Sequence, residues 1–292
     1  MTKLKSLVML AVMGLLIIGC KTKVDNTSEA EKELASFKKH VNEIKPNLKN
    51  IEDISAMLYL SGADFDPDLV LDPNEWEANI QNEDLFAANM GIYIVDGFYQ
   101  KAYDKRKEAY YSIMAGKSIA AKLDAIDIFD ELVLNKLDAG VVTEDSILNH
   151  VGNILHDSEV VFKNKNAYRA FASFLIGTYV EKQYILFNNI FNQPVKYSDE
   201  EKMMLASRQI IVAREQLKQL PDLIKVVEGL KTDEDSGILY NELLGLAEIH
   251  NAVSANNYLN TVKPEDFFRN AKLKEMHQQV NEMRTYLVTG VQ

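Results

Sequence analysis

Residues 166–191, NAYRAFASFLIGTYVEKQYILFNNIF, form a long and unusually apolar segment of the chain. Apolar side chains recur in it at three- and four-residue spacing and also fill most positions between. This pattern predicts a helix that is buried on nearly every side. Such a helix is stable only when other elements of secondary structure surround it. We therefore predict that residues 166–191 form the central helix of the protein.

The segments before and after this helix also have apolar residues at three- and four-residue spacing. They show almost no alternation with a period of two, so the pattern predicts helices and no strands. A serine stands three residues before a glutamate at Ser28 and at Ser198, which is the arrangement of a capping box at a helix start. Pro264 is also expected at a helix start, where its missing N–H costs nothing. The predicted helices span residues 28–44, 48–60, 84–114, 118–138, 143–157, 166–191, 198–220, 232–255 and 264–288.

These features predict an all-α fold with about eight or nine helices. No linker of low complexity divides residues 31–292, so we expect one helical domain over that range. Hydrophobic residues make up 47% of the chain and charged residues 26%, as is usual for globular proteins. A chain of this size can bury a large core without disulfides or structural metals.

The N-terminus has the pattern of a secretory signal. Lys3 and Lys5 precede an apolar run over residues 7–18. The run is too short to cross a bilayer, which requires about 20 residues. It ends in Ile-Ile-Gly-Cys, which closely resembles the lipobox of bacterial lipoproteins: an aliphatic residue, a tolerant position, the small residue Gly19 and then Cys20.

The resemblance to bacterial lipoproteins implies a membrane anchor. Cleavage after Gly19 would leave Cys20 as the N-terminus, carrying a diacylglyceryl group with fatty acids such as palmitate. Several acyl chains together anchor a protein stably, whereas one chain binds only marginally. Residues 1–19 would then be the signal peptide and residues 20–30 a flexible tether. Lys21 stands where an aspartate marks inner-membrane retention in many such proteins, so the resemblance implies the outer membrane.

The charge of the chain disfavours some classes of partner. Without residues 1–19 the chain has 30 basic and 43 acidic side chains, a net charge of −13. An acidic surface of this kind disfavours nucleic acids and anionic lipid headgroups. Acylation of Cys20, the single cysteine, would leave no thiol for a disulfide or for a thiolate metal site.

Residues 64–75, DFDPDLVLDPNE, have part of the spacing of a calcium-binding EF-hand loop. The acids fall at about positions 1, 3, 5, 9 and 12 of such a loop; they are Asp64, Asp66, Asp68, Asp72 and Glu75. Leu69, however, occupies position 6, where the loop needs glycine for its sharp turn. We therefore predict an acidic connector in which Asp72 or Asn74 caps the next helix, and we predict no metal or cofactor.

No other motif indicates a cofactor or a catalytic site. AGKS at residues 115–118 lacks the earlier glycine and the preceding strand of a phosphate-binding loop, so Gly116 is interpreted as a helix break. No metalloprotease or serine-hydrolase signature is present. The five histidines are scattered, and we expect solvent-facing or capping roles for them; they are His40, His150, His156, His250 and His277.

Asp96 and Glu181 are the strongest candidates for a site. Each is surrounded by apolar and aromatic residues, in IYIVDGFY (92–99) and GTYVEKQY (177–184). Burial of a carboxylate without a partner is costly and raises its pKa. The two acids are therefore either a pair lining a polar pocket or structural groups. In the structural case each would bond a tyrosine, a helix-end amide or an arginine such as Arg169.

The surroundings of the two acids resemble each other. Each segment has Gly-x-Tyr, then an acid, then a tyrosine three residues later; the positions are Gly91, Tyr93, Asp96 and Tyr99, and Gly177, Tyr179, Glu181 and Tyr184. The acids are 85 positions apart and the glycines 86. This similarity suggests a duplicated helical unit.

Residues 85–190 resemble a family of uncharacterised all-helical lipoproteins from Gram-negative envelopes. The resemblance rests on the motifs around Asp96 and Glu181 and on Asp145-Ser146 at a helix start. Tyr179 stands where that family usually has tryptophan. The resemblance implies a helical fold and an envelope location, and it implies no activity because none is established for the family.

Two functions are consistent with this sequence. The first is a non-catalytic protein of the cell envelope, anchored to the outer membrane by lipid, that binds an envelope protein or a small ligand or acts as a scaffold. The alternative is an envelope enzyme acting on glycans, with Asp96 and Glu181 as acid and base. That chemistry requires the carboxyl groups to lie about 5–10 Å apart across a cleft.

Overall fold

The structure is a computed structural model that describes residues 58–59, 61–77, 82–123, 165–192, 198–228, 237–254 and 263–291. Within these ranges there are helices and no strands, so the predicted all-α fold is confirmed. The helices are α1 (Glu83–Ala102), α2 (Arg106–Lys122), α3 (Lys165–Phe191), α4 (Asp199–Leu217), α5 (Leu220–Val227), α6 (Gly237–Ser254), α7 (Pro264–Arg269) and α8 (Ala271–Thr289). A 3-10 helix, Pro67–Leu69, precedes α1.

Several predicted features lie outside the described residues. They are the signal and tether over 1–30, the helix at 28–44, most of the helix at 48–60, residues 124–138 and the helix at 143–157. None of the helices in the described ranges has the length and apolar character needed to cross a membrane.

Helix α3 is central, as its sequence predicts. It packs against α1, α4, α5 and α8. Its core side chains are buried on several faces of the helix; they include Phe174, Leu175, Ile176, Val180, Leu186 and Phe187. Helix α1 is equally enclosed, because every residue from Asp84 to Gln100 is buried. The sequence did not predict this second central helix.

Helices α1 and α3 cross at two glycines. A Cβ on Gly177 would overlap the carbonyl oxygen of Ala88, and a Cβ on Gly91 would overlap that of Phe174. Ala88 precedes Gly91 by three residues, and Phe174 precedes Gly177 by three. On each helix, the glycine and the carbonyl that the other glycine meets are therefore three residues apart. The two backbones approach each other more closely than a side chain at either glycine would allow.

The break after α1 differs from the prediction. We expected a helix to residue 114 and a break near Gly116. The chain instead turns at Asp104, which has a positive φ of 59°, and α2 continues through Gly116. A Cβ on Gly116 would lie 3.4 Å from the carbonyl oxygen of Met90. This glycine therefore lies at a close helix contact and does not end a helix.

Capping residues determine several other boundaries. Ser198 and Glu201 form the predicted capping box at the start of α4. Pro264 starts a helix as predicted, but that helix is short. Asn270 has an extended ψ of 119°, and its side-chain oxygen accepts hydrogen bonds from the N–H groups of Lys272 and Leu273. The single helix predicted over residues 264–288 is therefore two helices, α7 and α8.

Candidate functional site

The crossing of α1 and α3 brings Asp96 and Glu181 together. Asp96 lies on α1, five residues after Gly91, and Glu181 lies on α3, four residues after Gly177. Both side chains are 0% exposed. Their carboxyl groups are within hydrogen-bonding distance of each other. The two acids with similar sequence surroundings therefore form one buried pair.

Each carboxyl group has one further partner. Asp96 Oδ2 accepts a hydrogen bond of 2.9 Å from the N–H of Leu71. Glu181 Oε2 accepts one of 3.1 Å from Nε of Arg284, which lies on α8 and has a side chain only 14% exposed. The guanidinium also lies 4.4 Å from the ring centre of Tyr184, as in a cation–π contact.

The remaining oxygens of the pair require a proton. Among the described residues, no N–H or O–H group donates to Asp96 Oδ1 or to Glu181 Oε1. Two ionised carboxylates in contact would repel each other in this dry environment. A proton held between them converts the repulsion into a hydrogen bond. The geometry therefore fits one neutral acid and one carboxylate.

The electrostatic surroundings indicate which acid is neutral. Burial and the charge of Glu181 hold the pKa of Asp96 well above its usual range, against the opposing effects of Arg284 and the Leu71 N–H. Burial also raises the pKa of Glu181, but Arg284 opposes this effect by its charge and its hydrogen bond. These effects favour Asp96 as the neutral acid and Glu181 as the carboxylate that neutralises Arg284.

A loop closes the pair from outside. We call residues 63–77 the strap. Three side chains of α1 bond its backbone: Tyr93 Oη donates to the carbonyl of Asp72 (3.1 Å), Asp96 accepts from Leu71, and Tyr99 Oη accepts from the N–H of Asp66 (3.0 Å). These residues of α1 are spaced three apart and so face the same side of the helix.

Apolar contacts also hold the strap. Leu69 is buried, at 6% exposure. The ring of Phe65 lies 5.2 Å from that of Tyr99 and 5.6 Å from that of Tyr103. Trp76 is partly buried against the core. The acidic strap therefore covers the core with its apolar side chains and directs its acids outward.

Two of the strap acids that fit the spacing of a calcium loop, Asp66 and Asp72, bond nearby groups of the strap itself. Asp66 caps the 3-10 helix, since its Oδ1 accepts a hydrogen bond from the N–H of Asp68. Asp72 Oδ1 accepts hydrogen bonds from both the backbone and the side chain of Asn74. Over the ranges that the structure describes, no group of three or more His, Cys, Asp or Glu residues is arranged to hold a metal. The expectation that Asp72 or Asn74 caps the next helix is wrong, because Asn82 caps α1.

The sequence did not identify Arg284 as the partner of the acids. Arg169 was the suggested cation, and its side chain lies outside the described residues. One signal was available. Val280, Met283 and Leu287 are the buried stripe of α8, and Arg284 stands within that stripe at helical spacing. A cation in an apolar stripe indicates a buried acid opposite it.

The two described histidines are more buried than expected. His277 stacks on Phe191 with ring centres 4.8 Å apart, and its Nε2 lies 3.1 Å from Oδ1 of Asn188. His250 is only 8% exposed. Burial lowers the pKa of both histidines. They are packing groups, in contrast to the predicted solvent-facing or capping roles.

Other predicted site residues lie outside the described part of the chain. They are Cys20, Asp145, Ser146, His40, His150 and His156. Their predictions therefore stay predictions.

Comparison with known proteins adds no identification. No protein-family model matches the chain, and no curated protein or solved structure matches it significantly. The resemblance of residues 85–190 to envelope lipoproteins therefore stays a prediction. The chemistry available at the acid pair is the retention of one proton beside a neutralised cation, in a position closed to solvent.

Proposed function

We propose that this protein is a lipoprotein of the outer membrane whose helical domain has a non-catalytic binding or scaffold role in the cell envelope. The N-terminal signal pattern ending at Cys20 supports the anchor. The closure of the acid pair supports the non-catalytic role, because Asp96 and Glu181 are both 0% exposed and bond each other beneath the strap.

The glycan-acting alternative is less well supported. An acid and a base that act on a glycosidic bond lie on opposite sides of it, about 5–10 Å apart. Asp96 and Glu181 lie within hydrogen-bonding distance of each other, which leaves no room for a sugar between them. We therefore assign the pair a structural role.

Lipid attachment can be tested on the full-length chain. In a Gram-negative host, we expect the protein in the membrane fraction, released by detergent but not by high salt. Its N-terminal peptide should begin at Cys20 and carry the mass of acyl chains. Cys20→Ala should be unprocessed and lack that mass. An unmodified wild-type peptide, or normal processing of Cys20→Ala, would contradict the proposal.

The outer-membrane location has its own control. Lys21→Asp changes the residue that follows Cys20 without changing lipid attachment. We expect the wild type at the outer membrane and the variant at the inner membrane when the two are separated by density. Inner-membrane localisation of the wild type would contradict the proposed location while leaving the anchor intact.

The binding role requires a partner or a ligand. We propose crosslinking in intact cells, followed by mass spectrometry of the purified protein under native and denaturing conditions. A discrete crosslinked species, or extra mass lost on denaturation, would support a binding role. The alternative enzyme would be favoured by a different result. In that case neither a crosslinked species nor extra mass would be found, and the purified chain would hydrolyse isolated envelope glycan whereas Asp96→Asn would not.

A further inference from the structure

We propose that the Asp96–Glu181 pair is a proton-operated latch for the strap. While the pair holds its proton, the strap stays on α1; when the proton is lost, the strap lifts and water reaches the pair. This inference concerns the helical domain alone and does not depend on lipid attachment or location.

The geometry makes the strap the part that must move. Helices α1, α3 and α8 enclose the pair through long packed faces. The strap encloses it through a segment whose regular structure is one turn of 3-10 helix, Pro67–Leu69. Gly62, immediately before the strap, has a positive φ of 89°, and because glycine has no Cβ this residue can also adopt other backbone conformations. Opening the strap would therefore disturb fewer contacts than separating the helices.

The charges around the pair make the ionised state unfavourable while the strap is closed. Over the described ranges, the titratable and charged groups around the pair are Tyr93 and Tyr99 on α1, Tyr184 on α3 and Arg284 on α8. The strap acids Asp66, Asp72 and Glu75 act on these tyrosines and do not face the pair. Helix α2 contributes Lys122, which pairs with Glu77 at the far end of the strap. In the part of the chain that the structure describes, Arg284 is therefore the cation at the pair, and it can neutralise only one carboxylate.

Loss of the proton would place two carboxylates against this one cation. The strap, residues 63–77, contains no lysine or arginine, so it supplies no second cation; it offers the second carboxylate only the N–H of Leu71. Water is the remaining means of stabilising the second charge, because buried charges without partners are costly. The raised pKa of Asp96 agrees with this, since the closed state favours the protonated form.

The single tryptophan of the chain, Trp76, reports on the strap directly. It is partly buried, and Nζ of Lys122 lies 5.4 Å from its ring centre. We propose to measure Trp76 emission and its quenching by acrylamide in the full chain in detergent, from about pH 5 to pH 9, the span over which buried acids lose their protons. For the wild type we expect a red shift and stronger quenching as the pH rises.

Asp96→Asn is the deciding variant. Its side-chain oxygen can accept from the Leu71 N–H while its NH₂ donates to Glu181, so the latch stays closed at every pH. We expect no pH-dependent change in Trp76 quenching. Asp68→Asn is the matched control, because it removes an exposed strap charge outside the pair; it should keep the transition near the wild-type pH.

A second measurement uses the wild type, so it tests the proposal even if the Asp96→Asn variant folds poorly. Hydrogen exchange of the wild-type strap, corrected for the intrinsic effect of pH, should show that the amides of Asp66 and Leu71 lose protection as the pH rises, before the amides of α3 do. Strap amides that stay protected over the whole range would overturn the proposal. So would an Asp96→Asn profile equal to that of the wild type.

Discussion

Asp96 and Glu181 are chemically similar acids that their surroundings make different. Glu181 lies against the guanidinium of Arg284, so its negative charge is neutralised. Asp96 has a backbone N–H and the charged Glu181 as neighbours, so its neutral form is favoured. The result is a buried group of two acids and one cation with no net charge when it holds one proton, which is the arrangement that a dry interior tolerates.

The first prediction distinguishes a neutral Asp96 from a charged one. Asp96→Asn mimics the protonated acid and should change the free energy of unfolding at pH 7 by less than about 1 kcal/mol. Asp96→Ala leaves the Leu71 N–H and Glu181 without partners and should cost about 2–4 kcal/mol. Urea unfolding followed by circular dichroism measures both values. Equal losses in the two variants would contradict a neutral Asp96, because the neutral Asn side chain would then not replace it.

The second prediction concerns Arg284. Arg284→Met leaves Glu181 buried without its cation and should cost about 3–5 kcal/mol of unfolding free energy. Adding Glu181→Gln removes the stranded charge, so the double variant should recover part of this loss. A double-mutant cycle from urea unfolding gives the coupling between the two residues. Additive losses would mean that the ion pair contributes nothing.

At the level of helices, the crossing of α1 and α3 explains why glycines precede both acids. Gly91 and Gly177 allow the backbones to meet, and this contact places the two acids at one point. The similarity between the two segments was visible in the sequence. That they cross each other was not, because a repeated pattern does not specify how its copies pack.

The third prediction tests this crossing. Gly177→Ala would place a Cβ against the backbone of Ala88, which cannot move without separating the helices. We expect a loss of about 3 kcal/mol or more in unfolding free energy. Gly245→Ala is the matched control, because its Cβ would meet only the flexible end of Gln279, so its effect should stay within about 1 kcal/mol of the wild type. Similar losses for both variants in urea unfolding would contradict this account of the crossing.

Helical periodicity predicted most helices because their packing side chains recur locally. The capping box at Ser198 and the start at Pro264 were confirmed for the same reason. The break at Asp104 was not predicted, since it depends on a backbone conformation without a clear local signal. The contacts of the strap join residues 21 to 33 positions apart, and the ion pair joins residues 103 positions apart, so local patterns could not show them.

For the folded domain, the fourth prediction is a stability that falls at both ends of the pH range. The raised pKa of Asp96 means that its contribution is fully present below its unfolded pKa of about 4 and is lost as the pH rises through the folded value. The lowered pKa values of His250 and His277 act oppositely: their contribution is present above about pH 6.5 and is lost as the pH falls.

Two variants distinguish the loss of stability at high pH, which we call the alkaline limb, from the loss at low pH, which we call the acid limb. In urea unfolding across pH, Asp96→Asn should flatten the alkaline limb and leave the acid limb unchanged. His277→Phe, which keeps the stacking on Phe191, should flatten part of the acid limb. An alkaline limb that persists in Asp96→Asn would assign that loss of stability to other groups.

The sequence predicted the fold class and both acids of the candidate site, because burial of an acid is visible in its apolar neighbours. It did not predict that Asp96 and Glu181 bond each other, or that the strap covers them. Those features follow from how distant segments pack. The function is harder to predict than the fold, because a proton-sharing pair that is closed to solvent does not indicate the chemistry of a substrate.

Infrared difference spectroscopy tests the shared proton most directly. The spectrum of the wild type minus that of Asp96→Asn at neutral pH should contain the C=O stretch of a protonated carboxyl group, shifted in D₂O. This result would establish that Asp96 holds a proton where free aspartate holds none. A difference spectrum with carboxylate bands alone would show that Asp96 is ionised, and would contradict both the shared proton and the latch.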